Sequence, residues 1–225
     1  MTEWTHFTVA PESGRLWRVV FDNPAINLVT PEMLGELPKL IDQMEAASDL
    51  RVVVFESANP DYFLDHYDTS RVAETPSAVG AAGYPLVIDT SMRLSRLPVV
   101  TIVKIRGRVR GIGSEYVQAM DMRFASERAL LGQPETAMGK PARRGRLEHL
   151  PLLLGRSRTL EVALSGDDVP AGIAERYGSV NRAVPDGELH LLVDTLAQRI
   201  ASFDKASIMA VKQQVARHGT VLSTV

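Results

Sequence analysis

No cysteine occurs in the 225 residues. That excludes disulfides, zinc thiolates and a thiol nucleophile together, and it suits a reducing cytoplasm, where the chain is expected to reside. A dominant charge sign is lacking too. With a formal net charge of −2 and a pI near 6.2, nothing in the charge balance predicts nucleic acid or an anionic membrane as partner. No apolar run approaches the roughly 18 residues of a membrane-spanning helix. The opening Met1-Thr2-Glu3-Trp4-Thr5-His6 has no basic stretch followed by an apolar one, so no secretory signal is expected. What is present is an apolar fraction of 45%, enough to fill the core of one large α/β domain more readily than of two small ones.

Gly14 to Asp22 is rich in β-branched and aromatic residues and reads as a strand, with Phe7 to Ala10 able to pair with it across a Pro11-Glu12-Ser13-Gly14 turn. Thr30 as N-cap, Pro31 at the first helical position and Met33, Leu37, Leu40, Ile41 and Met44 at helical spacing predict a helix ending before Asp49. Arg51 to Glu56 is a continuous apolar run of strand length, the mark of a strand covered on both faces. Strand, helix and strand together imply a right-handed crossover and a largely parallel sheet.

Asn59 to Ser70 reads as an irregular loop at the carboxyl end of that strand, where open α/β sheets bind ligands. Leu86 to Leu97 reads as a helix broken by Pro98, Val99 to Ile105 as the next buried strand, and Gly107 to Gly113 as a turn into a helix carrying Glu115. Asp121 to Ala125 is a further short strand. Helices follow at Leu147 to Leu154, Arg158 to Leu164, a short one closing at Gly178, Asp186 to Ile200, and Ala206 to Arg217. The domain expectation is a core over residues 1–185 and a helical region over 186–225.

The stretch Val99 to Glu135 organises the rest: buried strand, glycine-punctuated turn, helix start with Glu115, and a second acid at Glu135. Gly111-Ile112-Gly113-Ser114-Glu115, the segment from Asp121 to Glu127, Gly132-Gln133-Pro134-Glu135, and Ser165 through Pro185 occur in an order and spacing that resemble the crotonase (enoyl-CoA hydratase/isomerase) superfamily. The resemblance runs from about Leu16 to about Val215. It implies a spiral of ββα units with a C-terminal helical region, assembled as a homotrimer or a dimer of trimers. An acyl-CoA thioester would be the substrate, in the manner of fatty acid metabolism, with no metal and no cofactor beyond the substrate's own coenzyme A.

By position, the backbone N–H groups of Tyr67 and Ile112 would form an oxyanion hole. Donors fixed where enolate charge develops stabilise it without reorganisation, and a helix N-terminus at Ile112 adds its positive end. Glu115 and Glu135 match the paired acids of the hydratase branch, one to take a proton from water and the other to deliver one to the α-carbon. A lyase adding water to a 2-enoyl-CoA is the leading expectation. The bland reading of Glu115 is an acid favoured in a first helical turn by about 0.3–1 kcal/mol.

The chain departs from the family pattern at three places. The loop expected to hold small residues reads Asp65-His66-Tyr67-Asp68, which makes His66 an accessory candidate for binding or proton transfer. Ile112 stands where glycine is usual, and a positive φ there would be costly for a β-branched residue. The glycine-rich turn after the second acid is replaced by Pro141-Ala142-Arg143-Arg144-Gly145-Arg146, which makes Arg143 a second accessory candidate, for pairing with Glu135 or with a substrate carboxylate or phosphate. These departures keep two alternatives open: isomerase or C–C bond hydrolase chemistry recruiting His66, and a non-catalytic acyl-CoA-binding or assembly protein. Relatives usually continue past the last helix with segments that complete the acyl-CoA site, so the C-terminal region is expected to be either a short variant or incomplete in these 225 residues, with part of that pocket absent from them in both cases.

Overall fold

The computed structural model describes residues 4–139 and 147–219. Strands β1 (Phe7–Ser13) and β2 (Leu16–Phe21) form an antiparallel hairpin in register from Phe7 opposite Phe21. The reversal lies at Gly14 and Arg15. Pro11 to Ser13, expected as the turn, belong instead to the strand, with a register shift between Pro11 and Ser13. Proline is tolerated there because β1 is an edge strand, where its missing N–H costs no ladder bond.

Helix α1 (Pro31–Ala46) starts as expected, with the Thr30 Oγ1 accepting the Met33 N–H at 3.3 Å and Pro31 in the first turn. Its apolar stripe packs on a six-stranded sheet ordered β1-β2-β3-β5-β7-β10, completed by β3 (Val52–Ser57), β5 (Val100–Ile105), β7 (Met122–Ser126) and β10 (Arg182–Val184). Every pairing after the hairpin is parallel. The inner strands carry apolar side chains on both faces because both faces are covered. Helices α1, α2 (Leu86–Arg96) and α3 (Ile112–Ala119) lie on one side, and α6 (Asp186–Ser202) on the other.

A second, four-stranded sheet, ordered β4-β6-β8-β9, is built from β4 (Tyr62–Leu64), β6 (Arg108–Arg110), β8 (Leu130–Gly132) and β9 (Val169–Pro170). Tyr62 to Leu64 and Arg108 to Arg110 were expected as loop and turn. Three-residue strands carry too little pattern to show a period, and only pairing with each other makes them strands. Three times, a strand of the large sheet is followed by one of the small sheet and then a helix: β3-β4-α2, β5-β6-α3, and β7-β8-α4 (Leu150–Ser165). That is the spiral of ββα units.

The C-terminal region is helical. Gly155, at φ 74, breaks α4 into the two pieces predicted from sequence. Helix α5 (Ala171–Tyr177) closes on the left-handed Gly178, and α7 (Lys205–Gly219) follows α6. Among the described residues, no helix is long and apolar enough to cross a membrane.

Candidate active site

The site is built on two backbone segments that meet. The first, Leu64 to Asp68, is held extended by a buried asparagine. Asn27 sits at φ 50, a conformation that asparagine tolerates better than most residues, and is 1% exposed. Its amide donates to the Ser57 Oγ at 2.7 Å, the Phe63 carbonyl at 3.0 Å and the Tyr62 carbonyl at 3.2 Å, and its Oδ1 accepts the Asn23 N–H at 2.6 Å. The Asp65 N–H donates to the Asn27 carbonyl at 3.1 Å, the Val29 N–H to the His66 carbonyl at 3.1 Å, and the Asp68 N–H to the Val29 carbonyl at 3.0 Å.

These bonds form a parallel bridge between Val29 and Tyr67. In such a bridge the residues on either side of Tyr67 do the bonding, so its own N–H points to the opposite side. Among the described residues that N–H has no hydrogen-bond partner. The Tyr67 ring is anchored separately, its hydroxyl 2.6 Å from the Thr75 Oγ1.

The second segment is the start of α3. Gly111 takes the positive φ of 52 at the N-cap, and Ile112 begins the helix. The strain expected at Ile112 therefore does not arise, because the left-handed conformation falls one residue earlier, on a glycine. Among the described residues, Asn27 is the only non-glycine at positive φ. The Glu115 N–H closes the first turn on the Gly111 carbonyl at 3.0 Å, which leaves the N–H groups of Ile112, Gly113 and Ser114 outside the intrahelical ladder.

Gly113 lets the two segments touch. A Cβ there would lie 2.3 Å from the Leu64 carbonyl oxygen and 2.8 Å from that of Asp65. At the other end of the helix, the buried Arg123 guanidinium donates to the carbonyls of Val117 at 3.2 Å, Met120 at 2.6 Å and Ser179 at 2.9 Å, fixing the C-terminus of α3 against β7. Burial lowers its pKa to about 10, still cationic at neutral pH and favourably placed at the negative end of the helix.

The two acids converge because β6 and β8 are parallel neighbours, with Arg110 opposite Gly132. Both strands release their chains at the same end. The Gly111 N–H donates to the Gly132 carbonyl at 3.1 Å, and a Cβ on Gly111 would sit 2.9 Å from the Glu135 Oε1. Glu115 is 6% exposed in the first turn of α3, and Glu135 is half-buried in the turn after β8. The small sheet is clamped beside them by a two-point pair between Arg110 and Asp168, which raises the pKa of Arg110.

His66 also lies beside Gly111, its Cβ 3.5 Å from where a Gly111 Cβ would be. The structure thus gathers Tyr67, Ile112, Glu115, Glu135 and His66 around the start of α3. Arg143 lies outside the described residues. Sequence reasoning passed over Asn27, Asp65 and Gly113. The one signal for Asn27 was an asparagine in a turn-like Pro24-Ala25-Ile26-Asn27 run, and for Gly113 a second glycine two residues after the first.

The chain is similar to known proteins along most of its length. The family model for enoyl-CoA hydratase/isomerase matches residues 12–223. A short-chain-enoyl-CoA hydratase of Clostridium acetobutylicum is 26% identical over 210 residues, spanning 93% of this chain and 80% of the relative. A crystal structure from Streptomyces avermitilis, of a protein provisionally named an enoyl-CoA hydratase, is 38% identical with a TM-score of 0.90, and the match covers 99% of this chain and 81% of that one. An enoyl-CoA hydratase/isomerase structure from Xanthobacter autotrophicus Py2 is 28% identical with a TM-score of 0.84, covering 96% and 80% respectively.

Proposed function

This chain belongs to the enoyl-CoA hydratase/isomerase family, and from that premise we propose that it catalyses the reversible addition of water to a 2-enoyl-CoA. The observation that carries the reading is the abutment of the α3 start on the Leu64–Tyr67 segment, with Glu115 and Glu135 delivered to the same place. In this reaction the thioester carbonyl accepts from the Tyr67 and Ile112 N–H groups. Water oxygen bonds to C3, one glutamate takes the water proton, and the π electrons move onto the carbonyl oxygen as an enolate. The other glutamate, protonated, gives its proton to C2 as the enolate collapses to the thioester. The fixed amides and the helix N-terminus lower the energy of the enolate in both directions.

The test is the loss of conjugated-thioester absorbance over a panel of 2-enoyl-CoAs. Glu115→Gln and Glu135→Gln are each expected to slow turnover by about 10²–10⁴-fold. Absence of turnover on every panel member, with both variants indistinguishable from the parent in ligand binding, would refute the assignment.

A second reading, double-bond isomerisation or hydrolytic C–C cleavage with His66 carrying the proton, draws on the position of His66 beside Gly111, near Glu135. It predicts that His66→Ala abolishes turnover while one glutamate is dispensable. Tight thioester binding with no turnover would instead mark a binding or assembly protein. We extend the proposal to a cytoplasmic homotrimer or pair of trimers. The exposed Leu191, Val211 and Val215 on α6 and α7 supply apolar surface for such an assembly, and sedimentation equilibrium would test it.

A further inference from the structure

We infer that His66, steered by the buried carboxylate of Asp65, makes this site selective for acyl groups that carry a hydrogen-bonding oxygen over plain alkyl chains. The inference rests on the acyl-CoA reading and names the substrate class within it.

Asp65 is 2% exposed, and its backbone is fixed by the Asn27 carbonyl. Its Oδ1 has no hydrogen-bond partner among the described residues, while its Oδ2 lies 3.4 Å from the His66 Nδ1. A carboxylate removed from water needs a compensating group. Arg110, whose cationic form Asp65 helps to favour, is already engaged in its two-point pair with Asp168. The imidazole is therefore the group turned to Asp65, through Nδ1. This leaves Nε2 as the nitrogen presented outward.

The His66 side chain is 37% exposed, and its Cβ stands against Gly111, as the Glu135 Oε1 does. With a thioester carbonyl on the Tyr67 and Ile112 amides, His66 stands beside the acyl group, because it precedes Tyr67 in the chain and its Cβ packs against Gly111, the residue before Ile112. An alkyl chain would strip water from Nε2 and return nothing. A hydroxyl, carbonyl or carboxylate on the chain would replace that water. Polar groups built into a site penalise ligands that cannot pair with them much more heavily than an apolar wall penalises an extra oxygen.

The experiment is equilibrium binding of butanoyl-CoA, 3-hydroxybutanoyl-CoA, acetoacetyl-CoA and succinyl-CoA to the parent, His66→Ala, His66→Gln and Asp65→Asn proteins, each checked for fold by circular dichroism. The parent is expected to bind at least one oxygen-bearing ligand about tenfold or more tightly than butanoyl-CoA. Which of the three is preferred separates hydroxyl, carbonyl and carboxylate recognition. His66→Ala should erase the preference and let butanoyl-CoA bind more tightly, since no ring nitrogen then loses its water, His66→Gln should restore part of the preference, and Asp65→Asn should reduce it. Equal parental affinity for all four ligands, or a preference that survives His66→Ala, overturns this inference while leaving the acyl-CoA reading intact. Failure of all four to bind defeats the acyl-CoA reading, and the inference falls with it.

Discussion

Replacing Gly113 with alanine sets two physical effects against each other. Gly113 is the second residue of α3 and has no positive φ, so helix propensity alone favours alanine by about 1 kcal/mol. The added methyl, however, would sit 2.3 Å from the Leu64 carbonyl oxygen, 2.8 Å from the Asp65 carbonyl oxygen and 2.8 Å from the Leu64 Cβ. Two of these are backbone atoms, pinned through Asn27 and Val29, and cannot swing aside as a flexible side chain would. Relief requires the helix start and the loop to part by about 1 Å.

Overpacking of this kind costs about 1–3 kcal/mol, and the steepness of this contact places Gly113→Ala at the upper end. Net destabilisation of about 2 kcal/mol corresponds to a fall in Tm of roughly 4–8 °C for a chain of this size. The catalytic effect should be larger, because a shift of about 1 Å between the two amide donors costs on the order of 10²-fold in rate. Differential scanning calorimetry and turnover on the best 2-enoyl-CoA of the panel measure both. Gly35→Ala is the control: Gly35 lies inside α1 at an ordinary φ, and a Cβ there meets nothing within 4 Å, so propensity acts alone and stability should rise by about 0.5–1 kcal/mol. If Gly113→Ala matched its parent in Tm and rate, or was stabilised like the control, the close approach would not be what positions this site.

Two further perturbations probe the frame. Asn27→Ala removes four hydrogen bonds and places alanine at φ 50, so chemical denaturation should show a loss of about 3 kcal/mol or more, with turnover falling as the Leu64–Asp68 segment is released. A stability within 1 kcal/mol of the parent would show that the loop is held by something else. For Glu36, burial pushes the pKa up, but bonds from the His6 ring and the Thr5 N–H outweigh it, and the net shift is downward from 4.5. A folded pKa below the unfolded one contributes stability that is complete above 4.5 and is lost as pH falls through the folded value. The parent should therefore lose Tm more steeply than Glu36→Gln below pH 4.5; parallel curves would contradict the assignment.

Much of the architecture follows from local sequence. The apolar run over Val52 to Phe55 could only be a doubly covered strand, Thr30 and Pro31 mark the start of α1, and Gly178 ends α5. Glu115, Glu135, Tyr67 and Ile112 could be named as candidates because their motifs are spaced along the chain as in the crotonase superfamily. The three-residue strands β4, β6 and β8 were not, since so short a segment has no period and its extended form is imposed by partners distant in sequence. Only the tertiary structure decided how the candidate residues stand to one another. Parallel pairing of β6 with β8 sets Glu135 against Gly111, the close approach at Gly113 joins the two amide segments, and the strain expected at Ile112 is carried by Gly111 instead. It also set His66 beside a buried carboxylate and against Gly111. Sequence spacing fixes which groups share an element. Which groups share a space depends on register and close backbone approach, and those are settled only when the elements pack.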